Sequence, residues 1–107
     1  MMFEEISVDA VAALQKTSPT LQLIDVRESG EYAEGSARGS RSLPLSALDV
    51  AAAAAAGLVK DEPIYLICRS GKRSARACEI FAAAGYKKLF NVEGGMLAWE
   101  AEDLPLV

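Results

Sequence analysis

Short β-type runs alternate with helix-type stretches from one end of this chain to the other, and that order narrows the available folds more than any other feature. Phe3 to Ile6 reads as a first strand. Ser7 then stands as an N-cap for a helix carrying Val8, Val11 and Leu14 at helical spacing, which should end before Ser18-Pro19. Leu21 to Val26 is a mostly apolar, central strand. Glu28 to Ala33 is a polar segment of one or two helical turns, closed by Gly35. Arg41 to Leu45 is a brief strand that Pro44 confines to a sheet edge or strand end. Ser46 is the expected N-cap of a helix built on the alanines 51 to 56, with Gly57 as its C-cap. Pro63 to Ile67 is the strongest strand. Ser74 to Ala84 reads as a helix capped by Gly85, Lys88 to Val92 as a last strand, Gly94-Gly95 as a turn, and Met96 to Glu102 as a final helix. Strand, helix, strand in this order implies an α/β fold with three layers. A central, mainly parallel sheet of about five strands would be flanked by helices on both faces. In such sheets ligands bind beyond the carboxyl ends of the strands, so chemistry should follow a central strand.

Composition removes several kinds of function. The 107 residues are enough for one domain, expected to span residues 1–107. Nineteen residues are alanine, so the core must come from a modest set of larger aliphatic side chains. There is no histidine, which excludes Ser-His-Asp triads, Cys-His nucleophile pairs and His-ligated metals. Cys68 and Cys78 alone cannot complete an ordinary structural zinc site, form no C-x-x-C pair, and set up no disulfide framework. No metal or cofactor is expected. A net charge of −4 argues against a nucleic-acid partner, and no apolar run reaches the ~18 residues of a membrane span. The acidic Met1-Met2-Phe3-Glu4-Glu5 start is unlike a signal peptide. The cytoplasm, with both thiols reduced, is the expected compartment.

The loop after the strongest strand gathers the chemistry. It reads Cys68-Arg69-Ser70-Gly71-Lys72-Arg73 and runs into Ser74 at the expected helix start. Arg69, Lys72, Arg73 and Arg76 place four cations within eight residues of a chain that is acidic overall. Such a field attracts anions and favours thiolate over thiol. The free amides of a helix start act in the same direction. Gly71 permits a left-handed turn that aims successive amides inward as an anion-binding concavity. The plain alternative is a packed cysteine at a strand end followed by a solvated basic turn. The strand, charge, glycine and helix start together favour an activated nucleophile at Cys68.

These residues fall in a recognisable pattern. From about Ile6 to Val107 the chain resembles the single-domain rhodanese family of sulfurtransferases. Asp25-Val26-Arg27 with Glu31-Tyr32 and Gly35 is similar to one family element, and Leu43-Pro44-Leu45 to the next. Cys68 to Ser74 is similar to the active loop C-x-x-G-x-R-S. Gly94-Gly95 with Ala98-Trp99 and Leu104-Pro105 is similar to the C-terminal element. Ser36-Ala37 and Asp103 depart from the usual His-Ile and Gly. The resemblance implies a thiosulfate sulfurtransferase-like enzyme working by double displacement. Cys68 would take a sulfane sulfur from a small anionic donor such as thiosulfate, hold it as a persulfide, and pass it to cyanide in the test tube or to a thiol or protein acceptor in the cell. The amides of residues 69 to 74 would cradle that sulfur.

Around Cys68, Lys72 and Arg73 are candidates for gripping an anionic donor, with Arg69 a weaker one. Ser70, Gly71 and Ser74 complete the loop, Ser74 reading foremost as a helix N-cap. Asp25 and Arg27, at a strand end on the same edge, are expected to shape the site through polar contacts. Cys78 reads as core, with a resolving thiol as the alternative, and Met96, Leu97 and Trp99 as packing of the last helix. Three other functions compete. A cysteine phosphatase or arsenate reductase on the same type of fold normally has five residues between Cys and Arg, whereas Cys68 and Arg73 enclose four. A non-catalytic interaction module would more often lack the cysteine. A sulfur-carrier module would share the Cys68 chemistry but serve a protein acceptor.

Overall fold

A computed structural model describes residues 2–107. Five strands form one sheet: β1 (Glu4–Ile6), β2 (Gln22–Asp25), β3 (Ser40–Ser42), β4 (Ile64–Ile67) and β5 (Leu89–Val92). Their spatial order is β1-β5-β4-β2-β3 and every neighbouring pair is parallel. β4 is therefore central, as its unbroken Ile-Tyr-Leu-Ile run requires of a strand buried on both faces. Side chains alternate between two cores. Ile24, Leu66 and Leu89 meet α3 (Val50–Ala55) and α4 (Lys72–Ala83) on one face. Leu23, Tyr65, Ile67 and Val92 meet α1 (Val8–Thr17) and α5 (Gly95–Ala101) on the other. The three-layer α/β fold expected from the alternation is the fold observed. In α3, Ala53 is the residue buried against the sheet side, so small side chains bring this short helix close.

Several boundaries differ from the sequence reading. Asp49, not Ser46, caps α3, its carboxylate accepting from the Ala52 amide at 2.7 Å. Ser46 lies instead in a single 3-10 turn, Leu45–Ala47, which follows directly on Pro44. The third strand begins one residue earlier and ends three residues earlier, at Ser40–Ser42, leaving Pro44 outside it, and it is an edge strand. Ser74 is not an N-cap. The helix begins two residues earlier, at Lys72, because Gly71 takes φ 104° and turns the chain into it. Leu97 is about half exposed, so Met96 and Trp99, with the partly buried Ala98, pack α5 onto the sheet. Trp99 is fully buried and its indole N–H donates to the Pro105 carbonyl at 2.9 Å. The α2 segment (Ser29–Glu34) covers no core of its own; it hangs beyond the carboxyl end of β2.

Candidate functional site

β4 ends at Ile67, and Cys68 opens the loop that leads into α4. The Cys68 side chain is turned inward and almost wholly buried, while Arg69, Ser70 and Lys72 are exposed. The Gly71 amide donates to its sulfur at 3.0 Å and the Ser74 hydroxyl at 3.3 Å, and the Ser70 and Ser74 amides are also turned towards it. The loop owes this arrangement to what its carbonyls do. Cys68 O accepts from the Met96 amide at 2.8 Å and Arg69 O from the Leu97 amide at 3.1 Å, both at the start of α5. Gly71 O accepts from Ala75 N at 3.2 Å and from the Asn91 side-chain amide at 3.1 Å. In a trans peptide the C=O and the following N–H point opposite ways. The Arg69 carbonyl drawn towards α5 therefore turns the Ser70 amide the opposite way, towards sulfur. Close approach of α5 is what makes this possible. A Cβ on Gly95 would lie 2.3 Å from Cys68 O and 2.6 Å from Arg69 O, distances no side chain tolerates.

Burial by itself would push the Cys68 thiol up. Hydrogen bonds from the Ser74 hydroxyl and from the Ser74, Gly71 and Ser70 amides outweigh it, and the thiol lies below its ordinary value. The cations of the loop contribute less freely than their sequence density implied. Arg73 is clamped by Glu31 of α2 in a two-pronged pair, at 2.7 and 2.8 Å, and Arg76 pairs with Glu79 on its own helix at 3.3 Å. Arg69 and Lys72 make no ion pair among the described residues. Arg73 holds the Glu31 carboxyl down at about 2.

Asp25 and Arg27 lie at the end of β2, next to the end of β4, where Val26 N donates to Ile67 O at 2.9 Å. They form a buried ion pair, 2.8 Å between Arg27 Nη2 and Asp25 Oδ2. The same Nη2 donates to Gly35 O at 2.8 Å, which ties down the far end of α2. Tyr32 secures the middle of that helix by donating to Ser40 O at 2.6 Å. The buried pair thus stations α2, and α2 carries the Glu31 that holds Arg73. Cys78 is fully buried on α4, and burial, with Glu5 and Glu79 nearby, pushes its thiol up to about 12.

Four residues that the sequence reading left without a site role prove to border the loop: Glu31, Asn91, Gly95 and Met96. Asn91 left a trace in the sequence, as the one polar residue in the apolar run Leu89 to Val92. Gly95 showed only as half of a turn.

The rhodanese-like domain family matches residues 7–102. A protein named "Sulfurtransferase" from Allochromatium vinosum is 29% identical over 106 residues, 99% of this chain and 96% of that one. One named "Putative sulfurtransferase YtwF" from Bacillus subtilis is 39% identical and covers 98% of each chain. The crystal structure of a rhodanese-related protein from Thermoplasma volcanium superposes with a TM-score of 0.77 at 32% identity, over 98% of each chain.

Proposed function

The chain belongs to the rhodanese-like domain family, and from that premise we propose that it moves a sulfane sulfur from a small anionic donor such as thiosulfate to a thiophilic acceptor by way of a Cys68 persulfide. The observation that carries this reading is the pairing of a thiolate-favouring cysteine with inward amides. A nucleophile and an anion cradle are combined at one sulfur, with no external base required. In the first step the Cys68 thiolate attacks the outer sulfur of thiosulfate. The S–S bond of the donor breaks, sulfite leaves with the electron pair, and a persulfide anion remains on Cys68. In the second step an acceptor such as cyanide attacks that outer sulfur, thiocyanate forms, and the Cys68 thiolate is released.

The backbone amides of Ser70, Gly71 and Ser74 support both half-reactions because they stabilise negative charge without having to reorganise. Lys72 and Arg69, exposed and without an ion-pair partner among the described residues, draw the donor anion to the mouth of the loop. Arg73 works at one remove, its guanidinium fixed by Glu31 as a wall of the site. Asp25 and Arg27 shape that wall through α2. The acceptor in the cell is a thiol or protein thiol, and a reducing cytoplasm is the compartment in which Cys68 would be replenished.

Intact mass after brief incubation with thiosulfate tests the reading. The expected result is a gain of one sulfur, about 32 Da, reversed by cyanide with release of thiocyanate and absent in Cys68→Ser. No adduct at any thiosulfate concentration overturns thiosulfate as donor, and an adduct that survives in Cys68→Ser overturns Cys68 as its carrier.

A further inference from the structure

The Ser74 hydroxyl has one proton and two acceptors within reach. Its oxygen lies 3.3 Å from Cys68 Sγ and makes a short contact with Asn91 Oδ1. Asn91 stands on β5 opposite Glu5 of β1 and Leu66 of β4. Its amide orientation is fixed. Nδ2 donates to Gly71 O at 3.1 Å and to both Glu5 carboxylate oxygens at 3.1 Å. Turning the amide over would set Oδ1 against those acceptors, so Oδ1 must face Ser74. Both Ser74 and Asn91 are buried, so bulk water does not supply a substitute donor.

We propose that the Ser74 hydroxyl is a two-position switch, donating to Cys68 Sγ while that atom carries the negative charge and to Asn91 Oδ1 once sulfur is loaded, and that Asn91 is the positioning residue that builds the second position. The inference rests on Cys68 as the nucleophile. In the thiolate state Sγ is a charged acceptor and holds the proton of Ser74. When the S–S bond forms, the charge moves to the outer sulfur. Sγ becomes a neutral two-coordinate sulfur, which is a weak acceptor. The hydroxyl then turns to Asn91, a rotation that breaks no covalent bond and falls in the fastest class of side-chain motions. On discharge the outer sulfur departs with the acceptor, the electron pair returns to Sγ, and the hydroxyl turns back. Asn91 therefore favours the loaded form over the bare thiolate. It also keeps Ser74 satisfied in the state where Sγ no longer competes.

Four proteins test this without relying on sulfur transfer: the parent, Ser74→Ala, Asn91→Leu and the double variant. The rate of Cys68 alkylation by iodoacetamide is followed against pH in each. The charged side chains around the loop are Arg69, Lys72 and Arg73 on the loop and α4, Glu31 on α2, the Asp25–Arg27 pair at the end of β2 and just beyond it, and Glu5 behind Asn91. All seven are common to the four proteins. Ser74→Ala should slow alkylation near neutral pH by about tenfold and move the profile to higher pH. Asn91→Leu should move it the opposite way, by about threefold in rate, because the hydroxyl is no longer shared. In the Ser74→Ala background that gain should vanish. An Asn91→Leu effect of equal size in both backgrounds overturns the switch, since it would then act through Glu5 or the loop backbone; so does no effect at all. A second measurement leaves Asn91 intact and guards against a variant that fails to fold. The side-chain amide resonances of Asn91 should shift on loading with thiosulfate in the parent and stay fixed in loaded Ser74→Ala; a shift in both, or in neither, refutes the switch. Loading is read separately as the mass gain, so its failure counts against the sulfur-transfer reading and leaves the alkylation arm decisive here.

Discussion

Two cysteines, one just before α4 and one on its buried face, are both nearly inaccessible, yet their surroundings drive them in opposite directions. Burial raises both thiols. At Cys68 three inward amides and a hydroxyl reverse that effect. At Cys78 none of the described residues reverses it, and two carboxylates add to it, leaving the thiol at about 12. The difference shows that reactivity is set by which polar groups are buried with a sulfur, and not by how deeply it is buried.

The sharpest way to break this comparison is competitive alkylation of the folded protein with iodoacetamide, read by peptide mapping. Cys68 should react at least about a hundredfold faster than Cys78, the gap in thiolate population being only partly offset by the lower nucleophilicity of a less basic thiolate. Labelling of the two at similar rates would mean that the donors around Cys68 do not act as described.

A smaller but still large effect should follow from Gly95→Ala, which pushes α5 away from the loop carbonyls. Stability should fall by about 2–3 kcal/mol and Cys68 alkylation should slow at least tenfold, because the amides lose their inward aim. Unchanged thermal unfolding together with an unchanged alkylation rate would show that α5 does not set the loop.

The smallest effect concerns the wall that Arg73 forms. The Glu31 carboxyl is held at about 2, well below its usual 4.5. Its contribution is therefore complete above the unfolded value and is lost as pH falls towards the folded one. Glu31→Gln should lower stability near neutral pH by about 1 kcal/mol, a figure reduced because both partners are one-third exposed, and the deficit should close as pH falls. A deficit that stays constant from neutral to acid pH would assign the loss to something other than this ion pair.

The nucleophile was legible because its signals are local: an apolar β run, a cysteine, a glycine and clustered cations within one stretch of chain. The sheet was legible for a similar reason, since each strand and helix announces itself within a few residues. What escaped was long-range. Glu31 and Arg73 are 42 positions apart, and Glu5 and Asn91 are 86 apart. Nothing within one local window joins them; parallel strand pairing does. The reading of Ser74 failed for a different reason. A serine near a helix start is ordinarily a cap, but the left-handed Gly71 starts the helix early and leaves Ser74 inside, free to face sulfur. The cation density misled in part, because two of the four charges are spent on Glu31 and Glu79.

The groups that stabilise charge at Cys68 are mostly main-chain amides, held from behind by α5 and Asn91, while the side chains at 69, 70 and 72 face outward. Those three positions can therefore be rewritten with little effect on the thiolate. The scaffold separates what the site does from whom it serves. A library confined to Arg69, Ser70 and Lys72 is the natural place to retrain the protein towards a new donor or acceptor while its chemistry stays intact.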